Sequence, residues 1–294
     1  MESYTPLFLL GLMRSGTTYF RNVLSDNCFI QVMGSEMNSF WTEVGKAPSG
    51  LVKLNPYLTI DDTSAEVISD VRAHYDGRYK TRNSPNRVLF RTYRKIKNGN
   101  ETIFKNGNPH YLLNKSTHLT NKIGYLNTVF PEAKYIVLVR DIYSQSCSLY
   151  FHLEKLRKQG YCISFSKDYR EGISFTEGHQ TEAIDFENVS KFWIDQNVLM
   201  LRELETHCPN RFKVIGYKDV VENIESVLKD LSAFLELNLN PLVDQKIINN
   251  YSSDPLYDWK KKLTKAQIEA VQRIEVAYKM QIKIIDKHLE SRVK

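Results

Sequence analysis

Short continuous apolar runs alternate with stretches of helical spacing along this chain, and that alternation predicts its elements. Leu7-Phe8-Leu9-Leu10 has the length and character of a buried strand. After a loop from Gly11 to Thr18, the segment Tyr19 to Leu24 sets Phe20, Val23 and Leu24 at helical spacing. Phe29 to Met33 predicts a second short strand. Ser64 to Tyr75 predicts a helix with Val67, Ile68 and Val71 on one face and Ser64 as its N-cap. Tyr111 to Asn114 predicts another buried strand, and Leu119 to Phe130 a helix that Pro131 stops. Tyr135-Ile136-Val137-Leu138-Val139 is continuous and rich in β-branched residues, as a central parallel strand should be. A long helix follows through Ser148 towards Gln159. Phe186 to His207 predicts a helix with Phe192, Val198, Leu199 and Leu201 inward. Phe212 to Tyr217 predicts the last strand, Ile224 to Leu235 an amphipathic helix, and Leu263 to Leu289 one long charged helix. Segments 44–63 and 99–109 are turn-rich. Gly160 to Glu182 is polar and glycine-containing, which predicts a mobile loop or insertion over a substrate. Strands alternating with helices predict an α/β fold, a doubly wound parallel sheet flanked by helices with helical and loop insertions.

The first strand, loop and helix carry the first chemistry. A strand, a glycine-bounded loop and a helix N-terminus form a P-loop-like cradle. Its backbone N–H groups and helix dipole favour an anion. Gly11 and Gly16 match the start of the P-loop spacing, but Thr17 stands where that motif has lysine. Arg14 can supply the cation instead, and its fork suits a phosphate or sulfate. Glu36 follows the second strand, where open α/β sheets place ligands; the plain alternative is an acid at a helix start.

The 294 residues suffice for one large core or one domain with an insertion. The net charge of +6 suits an anionic small molecule, and there is no long basic run of the nucleic-acid-binding kind. Segment 72–97 is dense in basic residues, which reads as a solvated face or a lid for an acidic substrate. Cys28, Cys147, Cys162 and Cys208 are scattered without paired histidines. That pattern predicts reduced thiols and no metal site. No apolar run is long enough to span a membrane, and no leader pattern opens the chain. A cytoplasmic protein is the expectation, or one from which a targeting segment was removed.

A second anion grip decides the picture. Arg140 ends the central strand and Ser148 lies eight residues later inside the next helix. Two separate grips at adjacent strand ends suit a nucleotide phosphorylated at both ribose ends. Here the sequence resembles the PAPS-dependent sulfotransferases, in particular their bacterial and tyrosylprotein-like branches. Arg14-Ser15-Gly16-Thr17-Thr18 resembles their first motif, and VLVRDIYSQSCSLY, Val137 to Tyr150, their second. NKSTHLTNKIGYLNTVFPEAKYIVLVRD, FKVIGYKDVVENIESVLKDLSAFLEL and Asp258 to Thr264 resemble the intervening and C-terminal segments. The resemblance implies one sulfotransferase domain over 1–294, with substrate-side insertions at about 40–110 and 157–185.

By that resemblance Arg14, Ser15, Gly16, Thr17 and Thr18 would hold the 5′-phosphosulfate of PAPS. Arg140 and Ser148 would hold its 3′-phosphate, with Tyr217 and Lys260 as further contacts. Lys115 would face the transferring sulfuryl group, and PAP would be the product. Two positions depart from the cytosolic enzymes: Lys115-x-x-His118 is one residue longer than Lys-x-His, and Lys218 follows Tyr217 where glutamate is common. Glu36 is the first candidate for general base and His118 the second. The implied acceptor is a small hydroxyl- or amine-bearing molecule, with no metal, nucleic acid or membrane partner; a homodimer stays open. The competing class is a P-loop kinase or other nucleotide-binding protein, which should carry Gly-Lys-Ser/Thr and a magnesium-holding aspartate.

Overall fold

Leu7 and Leu9 face one way and Phe8 and Leu10 the other, yet all four are fully buried. A strand buried on both faces needs a layer of helices on each side. The computed structural model describes residues 4–25, 30–34, 36–44, 56–82, 110–237, 239 and 256–290, apart from the side chains at 39, 42 and 82. Cys28, Phe29 and Ser35, most of the expected 44–63 loop, the 99–109 link, and Arg87, Arg91, Arg94 and Lys95 of the basic segment lie outside them.

In chain order the described elements begin with β1 (Thr5–Leu10), α1 (Thr17–Ser25), β2 (Ile30–Val32), α2 (Asn38–Val44) and α3 (Ala65–Arg82). The middle of the chain forms β3 (Tyr111–Lys115), α4 (Ile123–Val129), β4 (Lys134–Val139), α5 (Ile142–Lys158), β5 (Tyr161–Phe165) and β6 (Ile173–Glu177). Then come α6 (Phe186–His207), β7 (Phe212–Gly216), α7 (Tyr217–Glu222), α8 (Ile224–Leu235), α9 (Trp259–Lys262), α10 (Lys265–Ala277) and α11 (Lys279–Glu290).

Five strands form one sheet in the order β2-β3-β1-β4-β7, and every neighbouring pair is parallel. On one face Leu7, Leu9, Ile136, Leu138 and Ile215 pack against Phe20, Val23 and Leu24 of α1 and Leu228, Leu231 and Leu235 of α8. On the other, Phe8, Leu10, Tyr135 and Val137 pack against Trp41 of α2, Tyr75 of α3, α4 and Ile194 and Leu201 of α6. Each fully buried side chain of this size is worth about 1.5–3 kcal/mol, so the two-sided core fixes the strand register. The doubly wound parallel sheet expected from the sequence is therefore what forms. From β1 the chain passes to the edge strand β2, returns to β3 beside β1, then crosses to β4 and β7 on the other side. The switch point lies at the C-terminal ends of β1 and β4, where open α/β sheets bind ligands.

Several expected elements take a different form. Within Gly160 to Glu182, expected as a mobile loop or insertion, β5 and β6 form a two-stranded antiparallel hairpin, with Ile163 paired to Phe175. Ile163, Ile173 and Phe175 pack on Leu149 and Leu153 of α5, so a few inward residues override a polar composition. The Leu263 to Leu289 helix is broken at Tyr278 into α10 and α11, which lets both Ile274 and Ile285 reach the core beside α6. A Thr264–Gln267 capping box sets the start of α10. The helix expected from Leu119 starts at Ile123, because Ser116 first caps a separate 3₁₀ turn over Thr117–Leu119. Tyr217 opens α7 rather than closing β7. No helix among the described residues is long and apolar enough to cross a membrane. No group of His, Cys, Asp or Glu among them is placed to hold a metal ion.

Candidate active site

The sheet order lines up the ends of all five strands. From the edge inward come Glu36 beyond β2, Lys115 at the end of β3, the Gly11–Gly16 loop after β1, Arg140 after β4 and Tyr217 after β7.

The loop is built by backbone shape. Gly16 has a φ of 95°, and a Cβ there would stand 2.2 Å from the Tyr217 ring. Both conformation and space therefore require glycine. Arg14 also sits at positive φ, 69°, an uncommon state for a residue with a side chain. Neighbouring groups hold it there. Arg140 donates from Nη1 to the Arg14 carbonyl at 3.2 Å, and Gln145 donates from Nε2 to the Met13 carbonyl at 3.0 Å. Trp193 Nε1 in turn donates to the Arg140 carbonyl at 2.9 Å and to Gln145 Oε1 at 3.0 Å. The loop is thus fastened from behind by β4, α5 and α6.

The expected second grip touches the first. Arg14 Nε donates to Ser148 Oγ at 3.1 Å, so the two grips meet instead of standing apart. The cause is topological: β1 and β4 are direct neighbours, and α5 starts beside the loop. The Arg140 guanidinium lies over the Tyr217 ring, 4.8 Å from its centre, a cation–π contact. Burial pulls Arg140 below the usual arginine value, with Tyr217 and Asp141 acting against that fall. Asp141 caps α5 by accepting from Ser144 N–H at 2.8 Å.

On the other side of the loop, Lys115 and Glu36 form an ion pair. The Lys115 side chain is 3% exposed and that of Glu36 31%. Burial, reinforced by the Arg21 guanidinium, pulls Lys115 down to about 8. The carboxylate pressed against its ammonium works in the opposite sense, since an adjacent opposite charge favours the charged form. Asn38 Nδ2 donates to Glu36 Oε2 at 3.2 Å. Ser116 Oγ donates to Asn38 Oδ1 at 2.6 Å and accepts from His118 N–H at 3.1 Å.

One cavity of about 450 Å³ gathers most of these groups. Arg14, Gly16, Thr17, Thr18, Glu36, Lys115, His118, Arg140 and Tyr217, all expected from the sequence, line it. Ser15 belongs to the loop but does not line the cavity; its Oγ is buried without a hydrogen-bond partner among the described residues. Ser148 lines a second cavity of about 270 Å³ that shares Arg140. Lys260 lines neither; its ammonium rests over the Tyr257 and Trp259 rings, while Lys262 lines the second cavity beside Asp258 and Trp259. Sequence reasoning missed Asn38, His152, Leu156 and Phe175, which also line the main cavity. Ser148, His152 and Leu156 recur every four residues on α5, a helical stripe that could have been found. Phe175 arrives on the hairpin, and no local signal marks it.

The family model described as the sulfotransferase family matches residues 6–241. No curated protein matches the sequence. Among solved structures, the chain is similar to the sulfotransferase domain from the curacin biosynthetic pathway, with 18% identity, 87% of this chain and 81% of that one covered, and a TM-score of 0.48. It is also similar to a sulfotransferase from Alicyclobacillus acidocaldarius, with 14% identity, coverage of 94% and 96%, and a TM-score of 0.47. A mouse sulfotransferase complexed with PAP is 11% identical, with coverage of 96% and 88% and a TM-score of 0.43.

Proposed function

The chain belongs to the sulfotransferase family, and from that premise we propose that it moves the sulfuryl group of PAPS to a hydroxyl or amine of a small-molecule acceptor. The observation that carries this reading is the convergence of an anion-binding loop, Arg140 and the Lys115–Glu36 pair on one cavity. PAPS supplies an activated sulfuryl group on a 5′-phosphate leaving group. The loop from Arg14 to Thr18 would hold the phosphosulfate end through its backbone N–H groups and the Arg14 side chain. Arg140 and Ser148 would hold the 3′-phosphate, joined by Lys262, which lines their cavity while the expected Lys260 does not. Tyr217 supports the site from below through its ring.

Glu36 takes the acceptor proton as the new oxygen–sulfur (or nitrogen–sulfur) bond forms and the sulfur–phosphate oxygen bond breaks. Lys115 and Arg14 absorb the charge on the sulfuryl oxygens and the leaving phosphate, so their own cations suffice. A kinase reading finds less support: Thr17 replaces the P-loop lysine, and Asp141, the acid nearest a central strand end, is occupied as a helix cap.

Met13, Leu156 and Phe175 give the cavity an apolar part beside His152, which favours a compact acceptor with an apolar portion. The described part of the basic 72–97 segment faces elsewhere; Arg72 is engaged with the Val129 carbonyl and with Glu132. With PAPS as donor, turnover is expected across a panel of small alcohols, phenols and amines. Phe175→Ala should raise KM for the larger apolar acceptors about tenfold while leaving that for PAPS unchanged, on the scale of one lost apolar contact. Efficient sulfation of peptide tyrosine with no turnover of any small acceptor would overturn the acceptor class.

Lys115 must carry its proton to absorb charge. Its lowered value of about 8, opposed by Glu36, places the alkaline loss of kcat at about pH 8 or above. In Glu36→Gln the opposing carboxylate is gone, so that limb should move to lower pH. A kcat–pH profile of both proteins checks this, and an unmoved limb would remove Lys115 as its source.

A further inference from the structure

We propose that Asn38 is the positioning residue for the general base, fixing which way the Glu36 carboxylate faces; this rests on Glu36 being the base. The hydrogen bonds around it admit one polarity. The ionised Glu36 carboxylate can only accept, so Asn38 turns its Nδ2 donor to Glu36 Oε2. The Asn38 Oδ1 then faces Ser116 Oγ, which gives it its proton while accepting from the His118 backbone N–H. Lys115 holds the other oxygen, Oε1. The carboxylate is gripped at both oxygens from two elements, the start of α2 and the end of β3. Each oxygen keeps a second lone pair for the acceptor proton. A donor facing Oε2 also favours the ionised carboxylate, the form that accepts a proton. The other charged or titratable groups facing this carboxylate region are Lys115 from β3, Arg21 from α1, which donates to the Gly34 carbonyl, Arg14 from the loop and His118 from the 3₁₀ turn.

This arrangement explains why the base sits just before a helix as short as α2. Asn38 opens that helix and lines the cavity, while Trp41 one turn on is fully buried and anchors it. The rigid core thus reaches the carboxylate through one side chain. Ser116, at the end of β3, locks that side chain's amide orientation.

The test compares wild type, Asn38→Ala, Asn38→Asp and Glu36→Gln, using PAPS and the best acceptor of the panel. Steady-state kinetics are followed against pH, with PAP affinity and melting temperature measured on the same proteins. Asn38→Ala should lower kcat about tenfold or more, the scale of a lost hydrogen bond to a charged group, and leave KM for PAPS unchanged. The acid limb of kcat/KM should move to higher pH by about one unit in Asn38→Ala, and further in Asn38→Asp, where a second carboxylate faces Glu36. Asn38→Asp preserves shape, so it reads out the electrostatics if Asn38→Ala folds poorly. Acid limbs that stay at the wild-type position in both variants, with Glu36→Gln inactive, would overturn the positioning role alone. Full turnover in Glu36→Gln would overturn the base assignment and this inference with it.

Discussion

Glu36→Gln is expected to lower kcat by about 10²–10⁴ while leaving PAP affinity nearly unchanged, the range that a positioned general base contributes. Glutamine keeps the shape of the side chain, and its one amide oxygen can still accept from Lys115, while its Nε2 replaces the oxygen that accepted from Asn38. What is lost is the capacity to take a proton from the acceptor. Position carries most of the effect, because the Lys115 ammonium in contact favours the charged carboxylate and so weakens it as a base. His118 lines the same cavity, and His118→Asn is expected to cost less. Rate measurements at saturating PAPS and acceptor check both variants. An inactive His118→Asn beside an active Glu36→Gln would transfer the role to the imidazole, despite its extra residue of spacing from Lys115.

Arg140→Ala is expected to weaken PAP binding by about 1.5–3 kcal/mol, the worth of a hydrogen bond to a charged group. Two losses combine in this variant. The 3′-phosphate loses a cation, and the Arg14 carbonyl loses the donor at 3.2 Å that helps hold the loop at its positive φ. Arg140→Lys should recover part of the binding through charge alone, since lysine cannot reproduce the planar guanidinium fork that lies over Tyr217. Calorimetric titration with PAP checks the series. Unchanged affinity in a folded Arg140→Ala protein would remove Arg140 from the nucleotide site.

The legible parts of this chain are those where local pattern and tertiary demand agree. β4 is continuous and β-branched, and it sits second from the far edge of the sheet with a helix layer on each face. The helices at Phe186–His207 and Ile224–Leu235 have the bounds their spacing implies, since each begins and ends at a polar break. The 160–182 hairpin was hidden because three inward side chains carry it among many polar ones. The break at Tyr278 was hidden because no glycine or proline marks it; packing of Ile274 and Ile285 decides it.

The same contrast holds at the site. Arg14, Lys115 and Arg140 were legible because strand ends are where such a sheet binds ligands, and each stands at one. The meeting of Arg14 with Ser148 was not legible: adjacent strand ends were expected, but how closely α5 runs past the loop is set by the packing of the whole fold. Lys262 rather than Lys260 at the second cavity is a matter of helical phase in four residues, which adjacent lysines cannot disclose. Asn38 was visible only as a neighbour of Glu36, and its role depends on Ser116 arriving from a strand far along the chain.

The most direct measurement is the melting temperature of the unmodified protein with PAP, and separately with ATP and magnesium. The account predicts that PAP alone, in a magnesium-free buffer with chelator, stabilises the protein by about 2.7 kcal/mol at a hundredfold excess over its dissociation constant. A shift with ATP and magnesium but none with PAP would contradict it.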